Sequence, residues 1–111
     1  MRFKTDPEAM ILGVLVDGPL HGYGIVKAIQ EASDGLFKLA EGQLYPVLHG
    51  MQKRGWIQGE WEAFETGPAR KAYRLLDAGR AELEARRAEW QRFAKAAGNV
   101  LFALEPEASR G

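Results

Sequence analysis

The chain contains no cysteine. That removes disulfides, thiolate metal sites and cysteine nucleophiles, and it suits a reducing cytoplasm. Histidine is nearly as scarce: His21 and His49 are the only two, and neither has a second conventional ligand at metal-site spacing. No cofactor is therefore expected. Ser33 and Ser109 have no suitable base beside them. The glycines of His21-Gly22-Tyr23-Gly24 lack the Gly-Lys-Ser/Thr ending of a phosphate loop. Glu60 and Glu62 share a strand face with no sign of the burial that a catalytic carboxylate pair needs. An enzyme is not expected. Long apolar runs are missing too. The longest, near Met10 to Val16, is far too short to span a bilayer. Met1-Arg2-Phe3-Lys4 leads at once into Asp6-Pro7-Glu8 rather than into the apolar core of a signal peptide. A cytoplasmic protein with no membrane partner is the expectation.

An excess of one charge is also lacking: 15 basic residues balance 15 acidic ones. A nucleic-acid binder usually carries a basic excess. Local placement matters more. Between Thr66 and Leu76 lie Arg70, Lys71 and Arg74 with no acid, while Glu60, Glu62 and Glu65 come just before. Overall neutrality can hide a local basic patch, at a cost in long-range steering.

What is present is a clear order of elements in 111 residues, enough for one modest core. Thr5 or Asp6 can cap a first helix, Pro7 suits its first position, and Asp17-Gly18-Pro19 ends it. Its run Ala9 to Val16 is apolar nearly all round, so it is buried on most sides. A second helix follows His21-Gly22-Tyr23, with Ile25, Ile29 and Ala32 at helical spacing, and closes at Ser33-Asp34-Gly35. A third begins near Glu41 or Gly42, with Pro46 in its first turn, an inward stripe of Leu44, Leu48 and Met51, and Gly55 as a left-handed stop. Trp56 to Glu62 and Ala69 to Leu75 alternate as two strands around a turn at Glu65-Thr66-Gly67-Pro68. From Asp77 the composition turns to Ala, Glu, Arg and Leu, a long helix. Leu83, Trp90, Ala97 and Leu104 recur every seven residues, Phe93 and Val100 fill the intervening offset, and Arg86 is the odd member of this seam. Gly98-Asn99 is a place for the helix to end or bend before Val100-Leu101-Phe102, and Glu105 to Gly111 reads as a frayed tail.

Three helices and a hairpin in this order predict a mainly α fold with a small β-hairpin: a winged helix-turn-helix over residues 1–76, then a dimerisation helix and tail over 77–111. In such folds the second helix of the motif enters the major groove with its N-terminal residues near base edges. Gln43 could read adenine, and His49 or Lys53 could reach a base or phosphate. Tyr45 could bond a phosphate or pack against Pro46 or the wing. Arg70 and Lys71, with Arg74 beyond, sit beside a Gly-Pro turn, where a basic tip suits a minor groove or backbone. The seam, with Leu101 beside it, could pack on its own chain, but a second chain is the better cover for so long a stripe. A symmetric dimer would place two recognition helices on the half-sites of a palindromic operator in double-stranded DNA. A winged helix that binds protein instead stays open, because the net charge is zero.

Several motifs then occur in one order: Glu41-Gly42-Gln43-Leu44-Tyr45-Pro46-Val47-Leu48-His49, Gly55-Trp56-Ile57, Gly67-Pro68-Ala69-Arg70-Lys71-Ala72-Tyr73-Arg74-Leu75 and Ala78-Gly79-Arg80, with His21-Gly22-Tyr23 ahead of them. Over roughly Ala9 to Arg80 the chain resembles the PadR family of transcriptional regulators. The resemblance implies a winged-helix domain with a helical dimerisation element, acting as a dimeric repressor of bacterial genes, often genes of detoxification, efflux or phenolic stress. It implies DNA-facing roles for Tyr45 and its neighbours, for Arg70 and Lys71, and for Tyr23 as a phosphate contact. Leu75-Leu76-Asp77 replaces the family's usual Leu-Thr-Glu, so Asp77 is the candidate cap. The short C-terminal part resembles the subfamily with a single long helix. In some of its members an aromatic residue there lines a dimer pore for flat hydrophobic compounds. Trp90 could do this with a small aromatic effector, or could anchor the dimer core.

Overall fold

The computed structural model describes residues 6–63 and 67–103. The suggested cap Thr5, the turn residues Glu65 and Thr66, the seam residue Leu104 and the tail Glu105 to Gly111 lie outside the described residues. Seven elements follow one another: α1 (Pro7–Val14), β1 (Leu20–His21), α2 (Gly22–Ala32), α3 (Glu41–Lys53), β2 (Ile57–Glu62), β3 (Arg70–Leu75) and α4 (Asp77–Leu101). This is the expected mainly α winged helix, with one element the sequence did not reveal. The two-residue β1 adds itself to the hairpin, giving an antiparallel sheet in the order β1-β3-β2. Leu20 faces Tyr73 and His21 faces Ala72.

Local chemistry accounts for the helix ends. Asp6 caps α1 by accepting the Ala9 N–H at 3.1 Å. At the end of α3, Gly55 takes a positive φ of 77°. Trp56 N–H then reaches the Met51 carbonyl at 3.1 Å and closes the last turn. α3 starts where the sequence places it, but Pro46 does not sit in its first turn. Gln43 Oε1 accepts the Ala40 N–H at 3.2 Å, and the helix begins at Glu41. Pro46 therefore lies in the second turn and removes a bond to the carbonyl of Gly42, which is exposed and can turn to water. Asp77 is likewise not a cap. Leu76 holds the cap position without a side-chain bond, and Asp77 is the first helical residue, its carboxylate at the positive helix end. Gly98 does not end α4, which continues to Leu101.

The core gathers Ile11, Leu12 and Leu15, Ile25 and Ile29, Leu44, Leu48 and Met51, and Ile57, Tyr73 and Leu75. Leu83 joins them at 5% exposure. This corrects its placement on the partner-facing seam: the first two turns of α4 pack on the winged helix. The contact is close. Leu76 N–H donates to the Trp56 carbonyl at 2.9 Å. A Cβ on the buried Gly79 would collide with that same carbonyl oxygen, so only glycine lets α4 cross here. The rest of the 25-residue α4, about 37 Å long at 1.5 Å per residue, extends past the core.

Candidate nucleic-acid interface

Three elements converge on one cleft. His21 is extended and leads into α2 without a side-chain cap. Gly22 is buried and Tyr23 beside it is exposed. Tyr45 comes from α3 and lies against the start of α2: a Cβ on Gly22 would stand 2.5 Å from the Tyr45 hydroxyl oxygen. The hairpin supplies the third wall. Its register sets Gly59 opposite Tyr73 and Trp61 opposite Lys71, so these four share a sheet face. A side chain at Gly59 would overlap Lys71 Cε and press on Tyr73, so the bare strand there gives the lysine stem and the phenol their room. Lys71 Nζ lies 5.7 Å from the centroids of both the Trp61 and Tyr73 rings. The resulting open cleft of about 640 Å³ is lined by His21, Gly22, Tyr23, Tyr45, Trp61, Ala69, Arg70, Lys71 and Tyr73. Burial, with the Tyr45 hydroxyl nearby, raises the Tyr73 phenol above its ordinary value, so it stays a neutral hydrogen-bonding group.

The expected site residues divide over this geometry. Tyr23, Tyr45, Arg70 and Lys71 come together in the cleft. Tyr45, His49 and Lys53 are all exposed, one turn apart along α3, and continue the surface down the helix. Gln43 is exposed at the start of α3, but its Oε1 is engaged by Ala40, so bidentate reading of adenine would cost the helix that bond. Arg74 is not brought to the cleft. It stands on the opposite hairpin face, donating to Gln58 at 3.2 Å and lying 3.8 Å from Glu60. Glu62 is also engaged, 2.8 Å from His21 Nε2. Trp61 and Tyr73 were missed as site residues. Strand alternation put them with Ile57 and Lys71 respectively, but only the cross-strand register joins the two sets.

A second candidate surface lies on α4. Trp90 and Phe93 are about half exposed and pack ring to ring at 5.6 Å. Together with Met10 and Phe37 they border a cavity of about 330 Å³, with Asp6, Ala9, Arg86 and Glu89 at its edge. Ala97 is half-buried, and Val100, Leu101 and Phe102 are largely exposed. Arg86 turns toward α1. It binds both Asp6 oxygens at 3.0 and 2.9 Å, Glu8 at 2.9 Å and Glu82 at 2.6 Å. Glu8 in turn receives Arg54, from the end of α3, at 2.6 Å. The Trp56 ring lies against both guanidiniums, at 4.9 Å from Arg54 and 5.5 Å from Arg86. Burial pushes the Glu8 carboxyl up, but hydrogen bonds from Arg86 and Arg54, with their charges, hold it below its ordinary value. Burial likewise pushes Arg86 down, and its three carboxylate partners outweigh that and hold it above. Among the described residues no cluster of His, Asp or Glu could hold a metal ion, and no helix is long and apolar enough to cross a membrane.

Comparison with known proteins agrees with this fold. Residues 11–85 match the model of the transcriptional regulator PadR-like family. Transcriptional regulator Rv3488 of Mycobacterium tuberculosis is 38% identical over 79 residues, 70% of each chain. An uncharacterized 37.1 kDa protein in transposon TN4556 of Streptomyces fradiae is 30% identical over 103 residues, 93% of this chain. This chain spans only 27% of that protein's length. Among solved structures, Bacillus subtilis PadR in complex with operator DNA superposes with a TM-score of 0.65 at 31% identity, over 70% of this chain and 44% of that one. The family model and the Mycobacterium relative both describe regulators of transcription, and the chain belongs to the PadR-like family of transcriptional regulators.

Proposed function

We propose that the protein is a homodimeric repressor that occupies a two-fold symmetric operator, in the cytoplasm, near its own gene. The observation that carries this reading is the cleft, where Tyr23 of α2, Tyr45 of α3 and Arg70 and Lys71 of the wing converge. Two phenols and two cations at 640 Å³ suit a phosphate backbone, while the exposed stripe of Tyr45, His49 and Lys53 faces the groove beside it. The similarity to a PadR solved on operator DNA supports the same partner for this chain. Half-site reading requires two copies, and the exposed Trp90, Phe93, Val100 and Leu101 on α4 offer the apolar face for a second chain. A small flat aromatic effector fits the cavity under Trp90 and Phe93. It would act by changing the angle between the dimer halves, since half-site spacing must match the groove repeat.

The test is binding to a promoter fragment from the protein's own locus across a salt series. Phosphate-driven affinity falls steeply as salt rises. The double substitution Arg70→Ala with Lys71→Ala should weaken binding and lower the slope of log affinity against log salt by about 2, since each phosphate contact contributes about 0.9. The dimer should stay intact. Unchanged binding would remove the wing from the site. A winged helix that recognises protein is the second reading, favoured by the zero net charge and by the acids that occupy Arg74 and His21. Salt-insensitive behaviour toward every duplex would select it.

A further inference from the structure

Trp61 is the largest side chain lining the cleft, and 70% of it is exposed. A lone exposed aromatic on a protein surface is ordinary. This one is not on a neutral surface. It stands on the same hairpin face as Tyr73 and Lys71, the face turned to Tyr23 and Tyr45. The Lys71 ammonium lies over the indole ring, 5.7 Å from its centroid, so a cation and an apolar plane are presented together. Charge is limited around it. The chain has no basic excess, Arg74 is held by Glu60 and Gln58 on the far face, and His21 is held by Glu62. A backbone groove with few cations needs uncharged contact to reach useful affinity.

We propose that Trp61 is a DNA-contact residue that binds the sugar rather than the phosphate. Its indole face lies on a deoxyribose of the strand whose phosphates Arg70 and Lys71 hold. This rests on the DNA-binding reading above. The deoxyribose is the occupant that fits: it is the uncharged, largely apolar part of the backbone, and it lies between phosphates that the flanking cation and phenols would engage. Burying an indole on a sugar releases no counterion, so its contribution is constant in salt, unlike that of Arg70 or Lys71. The contact gives affinity and register along the backbone without reading a base.

The experiment compares wild type, Trp61→Ala and Trp61→Phe on the promoter fragment from the protein's own locus and on an unrelated duplex of equal length. Each is measured across a salt series, with thermal unfolding as a check on the fold. Trp61→Ala should bind both duplexes about 10–30-fold more weakly at every salt concentration, with an unchanged slope. Trp61→Phe, which keeps an aromatic plane and the neighbour of Lys71, should stay within about threefold of wild type. In protein labelled with 5-fluorotryptophan, the Trp61 resonance, assigned by its loss in Trp61→Phe, should shift on adding duplex while that of Trp56 holds. Wild-type affinity in Trp61→Ala would overturn the proposal. So would a loss accompanied by a changed salt slope, which would assign the effect to Lys71, or a loss in Trp61→Phe as large as in Trp61→Ala. Absence of any salt-sensitive binding by wild type would remove the DNA reading together with this one, whereas wild-type binding with an indifferent Trp61→Ala removes only this one.

Discussion

Arg86 occupies a seam offset where a coiled-coil pattern calls for an apolar side chain, and its partners explain the exception. It is the hub that ties α4 to Asp6 and Glu8 on α1, and through Glu8 to Arg54 at the end of α3. Because the Glu8 carboxyl is held below its ordinary value of 4.5, the pair stabilises the fold fully above that value. The stabilisation is lost as pH falls from about 4.5 through the lowered folded-state value, where the carboxyl takes up a proton. At pH 7, Glu8→Gln should cost about 1–2 kcal/mol. The difference in Tm between it and wild type should close as the pH is lowered below 4.5. A gap that persists at low pH would mean that packing, not charge, holds Glu8. At Gly22 the relevant neighbour is the tip of a tyrosine that can swing away. Gly22→Ala should change stability by less than about 1 kcal/mol. It should nonetheless weaken promoter binding by displacing the Tyr45 hydroxyl from the cleft, and unaltered binding would mean that the hydroxyl has no role there.

Among the elements, those legible in the sequence were the ones whose cause is local. Pro7 and Asp6 mark the start of α1, Gly55 the end of α3, and the period-two alternation the two hairpin strands. What escaped has non-local causes. The two residues of β1 have no pattern of their own and become a strand only because β3 offers an edge to Leu20 and His21. Pro46 reads as a first-turn residue, but Gln43, reaching back to Ala40, holds the first turn at Glu41 and leaves Pro46 in the second. The site shows the same division. The basic wing and Tyr45 were legible from motif and turn chemistry. That Arg74 faces away while Trp61 and Tyr73 face the cleft depends on the register of Ile57 with Leu75. The sequence of the connecting turn does not specify that register. Leu83 fits the heptad spacing as well as Trp90 does, and only the crossing of α4 over Trp56 at Gly79 shows that the core claims it.

On the scale of the whole molecule, α4 divides its work. Its first turns complete the core through Gly79 and Leu83, and its later turns carry Trp90, Phe93, Val100 and Leu101 outward. Trp90→Asp should therefore leave each chain folded and raise the dimer dissociation constant by about 100-fold or more, as expected for a central tryptophan anchor. Sedimentation over a concentration series checks this, and an undiminished dimer would place the interface elsewhere. Two chains joined in this way would present two clefts and two copies of α3 to one duplex. The most direct measurement is a hydroxyl-radical footprint on the promoter of the protein's own locus. The expected pattern is two protected half-sites related by two-fold symmetry, with centres one helical turn apart, about 10 base pairs, or a whole multiple of it, both fading as salt is raised. A promoter left uniformly cleaved at saturating protein and low salt would contradict the reading of this cleft as a DNA-binding surface.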